Sequence, residues 1–535
     1  MLGLLSKKDK STARNNHSEG LPALQGRGNA MIGLLMLGYA FVLLLVCSRD
    51  GFLRTPYMNA DPNWFFMAGK AWMEGMTPYI DFADSKGPLL WLIYGIAYLL
   101  SPDSFAGVFL LEVLFFGLTF YLLYRSARLL VENEGGAILA SMMMALPFFF
   151  PGMHDEMRPE DFCQLFFAAT LYALIKIGDS EIKPLKYGIC LGLSCGAATM
   201  MKYNIGASLF VPSAVMFLYL CFKKGGGKRA WELLYSWFAG FGLIVLPFVF
   251  YFLIIGNFGA FITEYFLRTA STVNDSAFAQ PNGNTLMDRW AYILKGFISI
   301  LPSDLKQIEY DYAKMAFIAL IFMPGKMWRA GGLWIALTVW FIVTLLIIGI
   351  LHQYQYYFML AIFFLPGICR VLSWVGKLDV AGATIAGACV VAILAFGSSL
   401  WKRGEFYKIN ENIIAKEREE YAVKLIDAEL KRRGRSEGTI VYWDTYDMGL
   451  GVKAGLLPGA KYWALQWGAT PEMIKEHHEG ILRGRPDFIV VPETGLESIK
   501  LLKAEGYEEM IGYNARPDFN EDGSGGGIVV LVKKN

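Results

Sequence analysis

PLLWLIYGIAYLLS, residues 88–101, is the run on which the whole topology turns. It is apolar, yet at about 1.5 Å of rise per residue it is too short to cross ~30 Å of hydrocarbon upright. Pro102, Asp103 and Ser104 follow at once and leave little room for a turn back. We read the run as an interfacial helix closing a long outer loop. Charge supports that choice. Counted as a span, it would send the basic segments Arg125–Arg128 and Lys223–Arg229 outside. Left at the surface, it keeps both inside with Lys7, Lys8, Lys10, Lys183, Lys186, Lys326, Arg329, Arg370 and Lys377. Inner loops then carry about 18 Lys and Arg over roughly 85 residues, against about 10 over roughly 120 outside, the asymmetry that orients a membrane protein.

Working outward, uncharged apolar runs at 30–48, 105–124, 137–152, 161–177, 187–201, 205–222, 232–255, 311–324, 331–350, 355–373 and 379–399 read as transmembrane helices, about eleven in all. The polar, basic segment 1–29 is expected in the cytoplasm, and 30–48 has no small-residue cleavage site after it, so it reads as a retained anchor. An odd number of spans then exports the C-terminus. Outer loops 49–104 and 256–310 are long enough to build a site at one mouth of the bundle. The expected fold class is an α-helical polytopic membrane protein with a transmembrane catalytic domain over 30–400 and a C-terminal soluble α/β domain over 401–535.

Composition agrees: 55% of the residues are apolar, 15% aromatic and only 18% charged, too apolar for a string of soluble domains. All seven cysteines lie in or beside apolar runs, which argues against a disulfide scaffold or a thiolate metal site. A net charge of +2 carries no message about nucleic acid, no basic aromatic face appears, and no nucleic-acid partner is expected. In the C-terminal region a helix over 410–434, strands over 439–445, 486–493 and 527–534, and a helix over 495–506 alternate. Its Gly449-Leu-Gly-Val-Lys-Ala-Gly455 run superficially resembles a nucleotide loop, but no strand feeds it directly and turn glycines explain it. The region is expected to bind an acceptor or to brace the loops.

Chemistry gathers on the outer side. The first loop runs from Asp61 through Tyr79, Asp81 and Asp84 to Lys86-Gly87-Pro88. Asp61 precedes Pro62, a residue suited to the first turn of a helix, so its carboxylate can cap that helix or face the bundle mouth. Lys86 and the lone Lys202 each sit at a span boundary, where snorkelling to headgroups would account for either. Arg158-Pro-Glu160-Asp161 stands immediately before a span; one carboxylate suits the positive helix end, which leaves Arg158 unexplained. His352, Tyr354, Tyr356 and Tyr357 form an aromatic-polar patch at the outer start of another span, as an interfacial aromatic belt would. Lys86, Arg158 and Lys202 together suit a departing phosphate, and Asp61 an incoming hydroxyl. A leaving group carried on a lipid explains why such a site lies at a membrane. Inside a span, only Glu112 breaks the apolar rule, and neither a neighbouring helix nor a lipid groove can be singled out as its reason.

The stretch D-x-x-x-F-x-x-x-G-K-x-x-x-x-G-x-x-P-Y-x-D-F-x-D-x-K-G-P-L, Asp61 to Leu89, resembles the GT-C glycosyltransferases that use polyprenyl-phosphate sugars. That superfamily includes protein O-mannosyltransferases and the lipid A aminoarabinose transferase, and the chain is most like their bacterial polysaccharide-modifying relatives. The resemblance implies Asp61 as catalytic base, Lys86 and Lys202 as contacts of the donor phosphate, and Arg158, Glu160 and Asp161 as the second-loop cluster, with Tyr79, His352, Tyr354 and Tyr357 near the donor or acceptor. Relatives often carry Asp-Glu where this chain has Asp61-Pro62, so Asp84, Glu160 or Asp161 would have to supply the ligands of any divalent metal. It further implies an inverting transfer to a hydroxyl of an envelope glycan, lipid or protein, in a bacterial plasma membrane with the N-terminus cytoplasmic and the C-terminal domain outside. Two other readings compete: a polysaccharide ligase or polymerase using a polyprenyl-diphosphate donor, and a lipid or sugar transporter. Transport would favour charged groups at mid-membrane and paired broken helices, and the spans lack both apart from Glu112.

Overall fold

An apolar chain in lipid must close its backbone hydrogen bonds internally, and helices do so within one segment. The computed structural model describes residues 22–47, 60–149, 157–179, 181–270, 285–299, 308–325, 327, 332–351, 354–374, 378–401, 411–447, 449–464, 470–492, 494–513 and 528–534. Ten helices come first: α1 Pro22–Cys47, α2 Ala60–Met73, α3 Pro88–Leu100, α4 Ala106–Leu130, α5 Glu134–Met143, α6 Ala145–Phe148, α7 Pro159–Gly178, α8 Leu185–Met201, α9 Tyr203–Phe222 and α10 Gly227–Ile254. A short α11 Phe258–Phe261 leads into a π-helix, Ile262–Arg268. Then follow α12 Leu286–Ile298, α13 Ile308–Ile321, α14 Gly332–Leu351, a 3₁₀ run Tyr354–Phe363, α15 Phe364–Leu372 and α16 Val380–Trp401.

Seven of the described helices are long and apolar enough to cross a bilayer: Gly28–Val46, Ala106–Leu130, Pro159–Gly178, Tyr203–Phe222, Gly227–Ile254, Gly332–Ile350 and Gln355–Leu372. Three further expected spans are shorter apolar helices, Glu134–Phe148, Leu185–Met201 and Val380–Leu394. The last, expected at 311–324, is the helix Ile308–Ile321. The chain is a multi-pass membrane protein.

Helix α3 is the short run read first from the sequence. Gly87 precedes it in extended backbone, Pro88 opens it, and it ends at Ser101, whose φ of −152° and ψ of 89° suit a residue before proline. One side, with Leu90, Trp91, Tyr94 and Ala97, is buried against α2 and α4, while Ile96, Leu99 and Leu100 stay exposed. Elsewhere small residues bring helices together. A Cβ on Gly188 or Gly192, four apart on α8, would come within 1.9 Å of Ser236 Oγ or 2.0 Å of Trp237 O on α10.

The C-terminal region is a small α/β unit: α17 Glu411–Arg432, β1 Thr439–Tyr442, α18 Leu450–Lys453, β2 Leu457–Pro458, α19 Pro471–Gly484, β3 Phe488–Pro492, α20 Leu496–Ala504, β4 Tyr507–Tyr513 and β5 Ile528–Lys533. Its sheet has the order β2-β1-β3-β5-β4, with β1 parallel to β2 and β3 and β5 antiparallel to β3 and β4. Sequence reading anticipated β1, β3, β5, α17 and α20 but not β2, α19 or β4. The Gly449–Gly455 run is a single helical turn whose amides are already taken: Gly449 N–H donates to Asp447 and Gly451 N–H to Tyr442 Oη. Turn glycines, not a phosphate cradle, are what it contains.

Candidate active site

Asp61 lies within the first turn of α2 rather than ahead of it. Its carboxylate is turned to another segment, with Oδ2 3.3 Å from Nε of Arg158. Arg158 is the residue before α7, where Pro159 takes the first helical position. Its N–H donates to Asp161 Oδ2 at 2.8 Å, so Asp161 is the carboxylate that serves the helix end. The preceding Met157 sits at a φ of 60°, left-handed backbone that side chains other than glycine rarely adopt. Its N–H donates to Glu112 Oε1 on α4 at 3.1 Å, and its carbonyl accepts from the Tyr94 hydroxyl on α3.

Glu160, one place further on, is 3% exposed and pairs with Lys202, whose Nζ is 2.5 Å from Glu160 Oε1. Lys202 stands between α8 and α9 in extended backbone, and its ammonium also lies 4.1 Å from the centre of the Tyr356 ring. The first loop reaches this point through its backbone: the N–H of Gly87 donates to the carbonyl of Met201 at 2.8 Å. A Cβ on Gly87 would be 2.0 Å from Met200 O, so only glycine permits the contact. The pairing brings the backbone next to Lys86 against the backbone next to Lys202. Lys86 Nζ is 3.1 Å from Ser85 Oγ, 3.8 Å from Asp84 Oδ2 and 5.4 Å from the centre of the Phe65 ring. Phe65 is four residues along α2 from Asp61, on the same helix face. The pairs Asp61–Arg158 and Glu160–Lys202 thus meet at the start of α7, and the Met201–Gly87 bond and the Lys86–Phe65 contact tie the first loop to the same segments.

The remaining expected residues divide. Tyr79 is buried in aromatic packing against Trp91 and Phe252, and its hydroxyl donates to the carbonyl of Lys86 at 3.1 Å, so it shapes the lysine's segment. Tyr357 packs on Tyr310, and it is its neighbour Tyr356 that lies under the Lys202 ammonium. His352 and the side chain of Tyr354 lie outside the described residues, as do His154, Asp155 and Glu156. No three His, Cys, Asp or Glu side chains converge as metal ligands among the described residues. Asp84, Glu160 and Asp161 are engaged at three separate places and do not fit a shared ion.

Residues 85–255 match the sequence model of the dolichyl-phosphate-mannose-protein mannosyltransferase family. The interval holds Lys86, Arg158, Glu160 and Lys202 and begins after Asp61. The crystal structure of ArnT from Cupriavidus metallidurans bound to undecaprenyl phosphate superposes with a TM-score of 0.56 at 13% identity, over 96% of this chain and 98% of that one. The chain shares the fold of that GT-C transferase, and its residues 85–255 are similar to the mannosyltransferase family. ArnT from the same organism in the apo state gives a TM-score of 0.39 at 13% identity, over 95% of this chain and 98% of that one. No curated protein matches the sequence significantly.

The C-terminal unit packs on the first loop and on the start of α2, through residues that sequence reading did not single out. Trp463 stacks on Trp64 of α2 with ring centres 4.0 Å apart, and Asn63 Nδ2 donates to the carbonyl of Asp447 at 3.3 Å. The N–H of Ala83, just before Asp84, donates to the carbonyl of Lys461 at 2.9 Å. Glu264 on the π-helix, 6% exposed, pairs with Lys461 and accepts from the Tyr462 hydroxyl, both at 2.6 Å. Burial, then the bond to Glu264, holds that phenol far above its usual pKa, so it stays a donor. Arg268 joins the cluster to Glu476 of α19 at 2.7 Å. The unit braces the first loop and the π-helix.

Proposed function

We propose that the protein transfers a sugar, with inversion, from a polyprenyl-phosphate donor to a hydroxyl of an envelope glycan, lipid or protein at the outer face of a bacterial plasma membrane. The observation that carries this reading is the set of three cations, each already holding a carboxylate, of which Arg158 holds Asp61. Asp61 takes the proton of the acceptor hydroxyl, whose oxygen attacks the anomeric carbon. The bond from that carbon to the phosphate oxygen breaks, and its electron pair leaves with the lipid phosphate against Lys86, Lys202 and Arg158. One attack inverts the anomeric centre without a covalent sugar-enzyme intermediate. The undecaprenyl phosphate held by ArnT supports such a donor, and the excess of basic residues in the inner loops supports a cytoplasmic N-terminus with the C-terminal unit outside.

The test compares envelope glycans and lipids by mass spectrometry in cells carrying the wild type, Asp61→Asn or no copy, alongside undecaprenyl-phosphate binding by the purified proteins. The expected result is a sugar increment present with the wild type and reduced at least ~100-fold with Asp61→Asn, while the variant still binds undecaprenyl phosphate. Wild-type levels of the increment with Asp61→Asn would remove Asp61 as the base. Selective binding of undecaprenyl diphosphate would favour the ligase or polymerase reading.

A further inference from the structure

Glu112 is the one acidic residue set inside α4, and it is fully buried. A carboxylate placed within a membrane span is expensive, and such residues have to be compensated by specific partners. Here the compensation is tied to a strained place in the chain. Glu112 Oε1 accepts the N–H of Met157, whose left-handed backbone is disfavoured for a residue with a Cβ. Tyr94 holds the carbonyl of the same residue from α3.

A glycine at 157 would take this turn without help. The chain instead has a fully buried methionine held on both its peptide groups by helices outside its own segment. The turn therefore depends on those two anchors, and its direct product is the direction in which the next residue leaves. That residue is Arg158, which meets Asp61. Glu112, Glu160 and Arg158 all act electrostatically on Asp161 from around the same turn.

We propose that Glu112 is a positioning residue for sugar transfer: by holding the turn at Met157, with Tyr94 as the second anchor, it aims Arg158 at Asp61 and at the seat of the donor phosphate. The inference rests on the donor reading above and adds a residue to it. Glu112 acts through Arg158 and does not touch the reacting atoms.

Full-length protein in lipid nanodiscs is titrated with undecaprenyl phosphate. Glu112→Leu, which removes the acceptor, weakens binding about five- to twentyfold. Tyr94→Phe, a milder change at the other anchor, weakens it about threefold or more. Glu112→Gln keeps an oxygen for the Met157 N–H and recovers most of the affinity lost in Glu112→Leu. In an Arg158→Gln background none of these changes weakens binding further, because coupled residues are not additive. Wild-type affinity in both Glu112→Leu and Tyr94→Phe overturns the inference, and so does an undiminished loss in the Arg158→Gln background. If Glu112→Leu cannot be purified, Tyr94→Phe alone and in the Arg158→Gln background decides by the same two outcomes. Failure of the wild type to bind undecaprenyl phosphate would sink the donor reading and this inference together; binding by the wild type with unmoved anchor variants sinks only this one.

Discussion

Each cation of the site meets a carboxylate: Lys86 near Asp84, Arg158 with Asp61, Lys202 with Glu160. On the proposed reading, an arriving phosphate would compete with these carboxylates for the cations. The Lys202–Glu160 pair is the most buried of the three, and removing one partner strands a buried charge at a cost of about 3–5 kcal/mol. Lys202→Met is accordingly expected to lower thermal stability by that order and to weaken undecaprenyl-phosphate binding about tenfold. Adding Glu160→Gln should restore most of the stability and none of the affinity; recovery of both would make Lys202 a structural residue. These cations were legible in the sequence because charges next to apolar runs stand out. Tyr356 did not stand out from Tyr354 and Tyr357, because a 3₁₀ run turns at about three residues per turn and its outward face does not follow α-helical spacing. Glu112 was visible as an anomaly, but its partner is a backbone amide, and no residue type announces that.

At the scale of elements, the site depends on two segments far apart in sequence meeting backbone to backbone. The Gly87 N–H to Met201 carbonyl bond sets the loop that carries Lys86 against the end of α8 that carries Lys202. A methyl group at residue 87 would lie 2.0 Å from Met200 O, and a carbonyl on a packed helix cannot move aside as a flexible side chain can. Gly87→Ala should therefore cost about 1–3 kcal/mol of stability, the usual range for overpacking, and weaken undecaprenyl-phosphate binding more than Lys86→Ala does, because it displaces one lysine relative to the other. Thermal unfolding and the same nanodisc titration check both parts, and affinity at the Lys86→Ala level or better would show that the loop adapts. The long apolar helices were readable from hydropathy alone, as was the short α3. Helix α19 was not: it is polar over most of its surface, burying only Met473, His477 and Ile481. Strand β2 has two residues and carries no period at all. What the sequence did show around Lys86 was a lysine followed by Gly-Pro; it could not show that the glycine is there for the sake of α8.

Across the whole molecule, the bundle supplies the cations and the C-terminal unit holds the helix that carries Asp61. Trp463 rests on Trp64, three residues from Asp61, and Glu264 anchors Lys461 and Tyr462 on either side of a backbone that also pairs with Ala83. An alternating α/β tail was evident from its strands, but its seat was not, because the contacts join residues about 200 to 400 positions apart. The arrangement predicts that the unit controls turnover through α2 more than it controls donor binding, since the Gly87–Met201 bond does not involve it. Glu264→Gln removes the buried charge that Lys461 and Arg268 share, while its amide oxygen can still accept from Tyr462. Amide exchange should then quicken together at Ala83, over 61–66 and over 461–463. The sugar increment on the envelope should fall about tenfold, with undecaprenyl-phosphate affinity changed by less than about threefold. Exchange that quickens only around the π-helix, with 61–66 as protected as before, would mean that α2 is held by the bundle alone and that the C-terminal unit is a passenger on the mouth it covers.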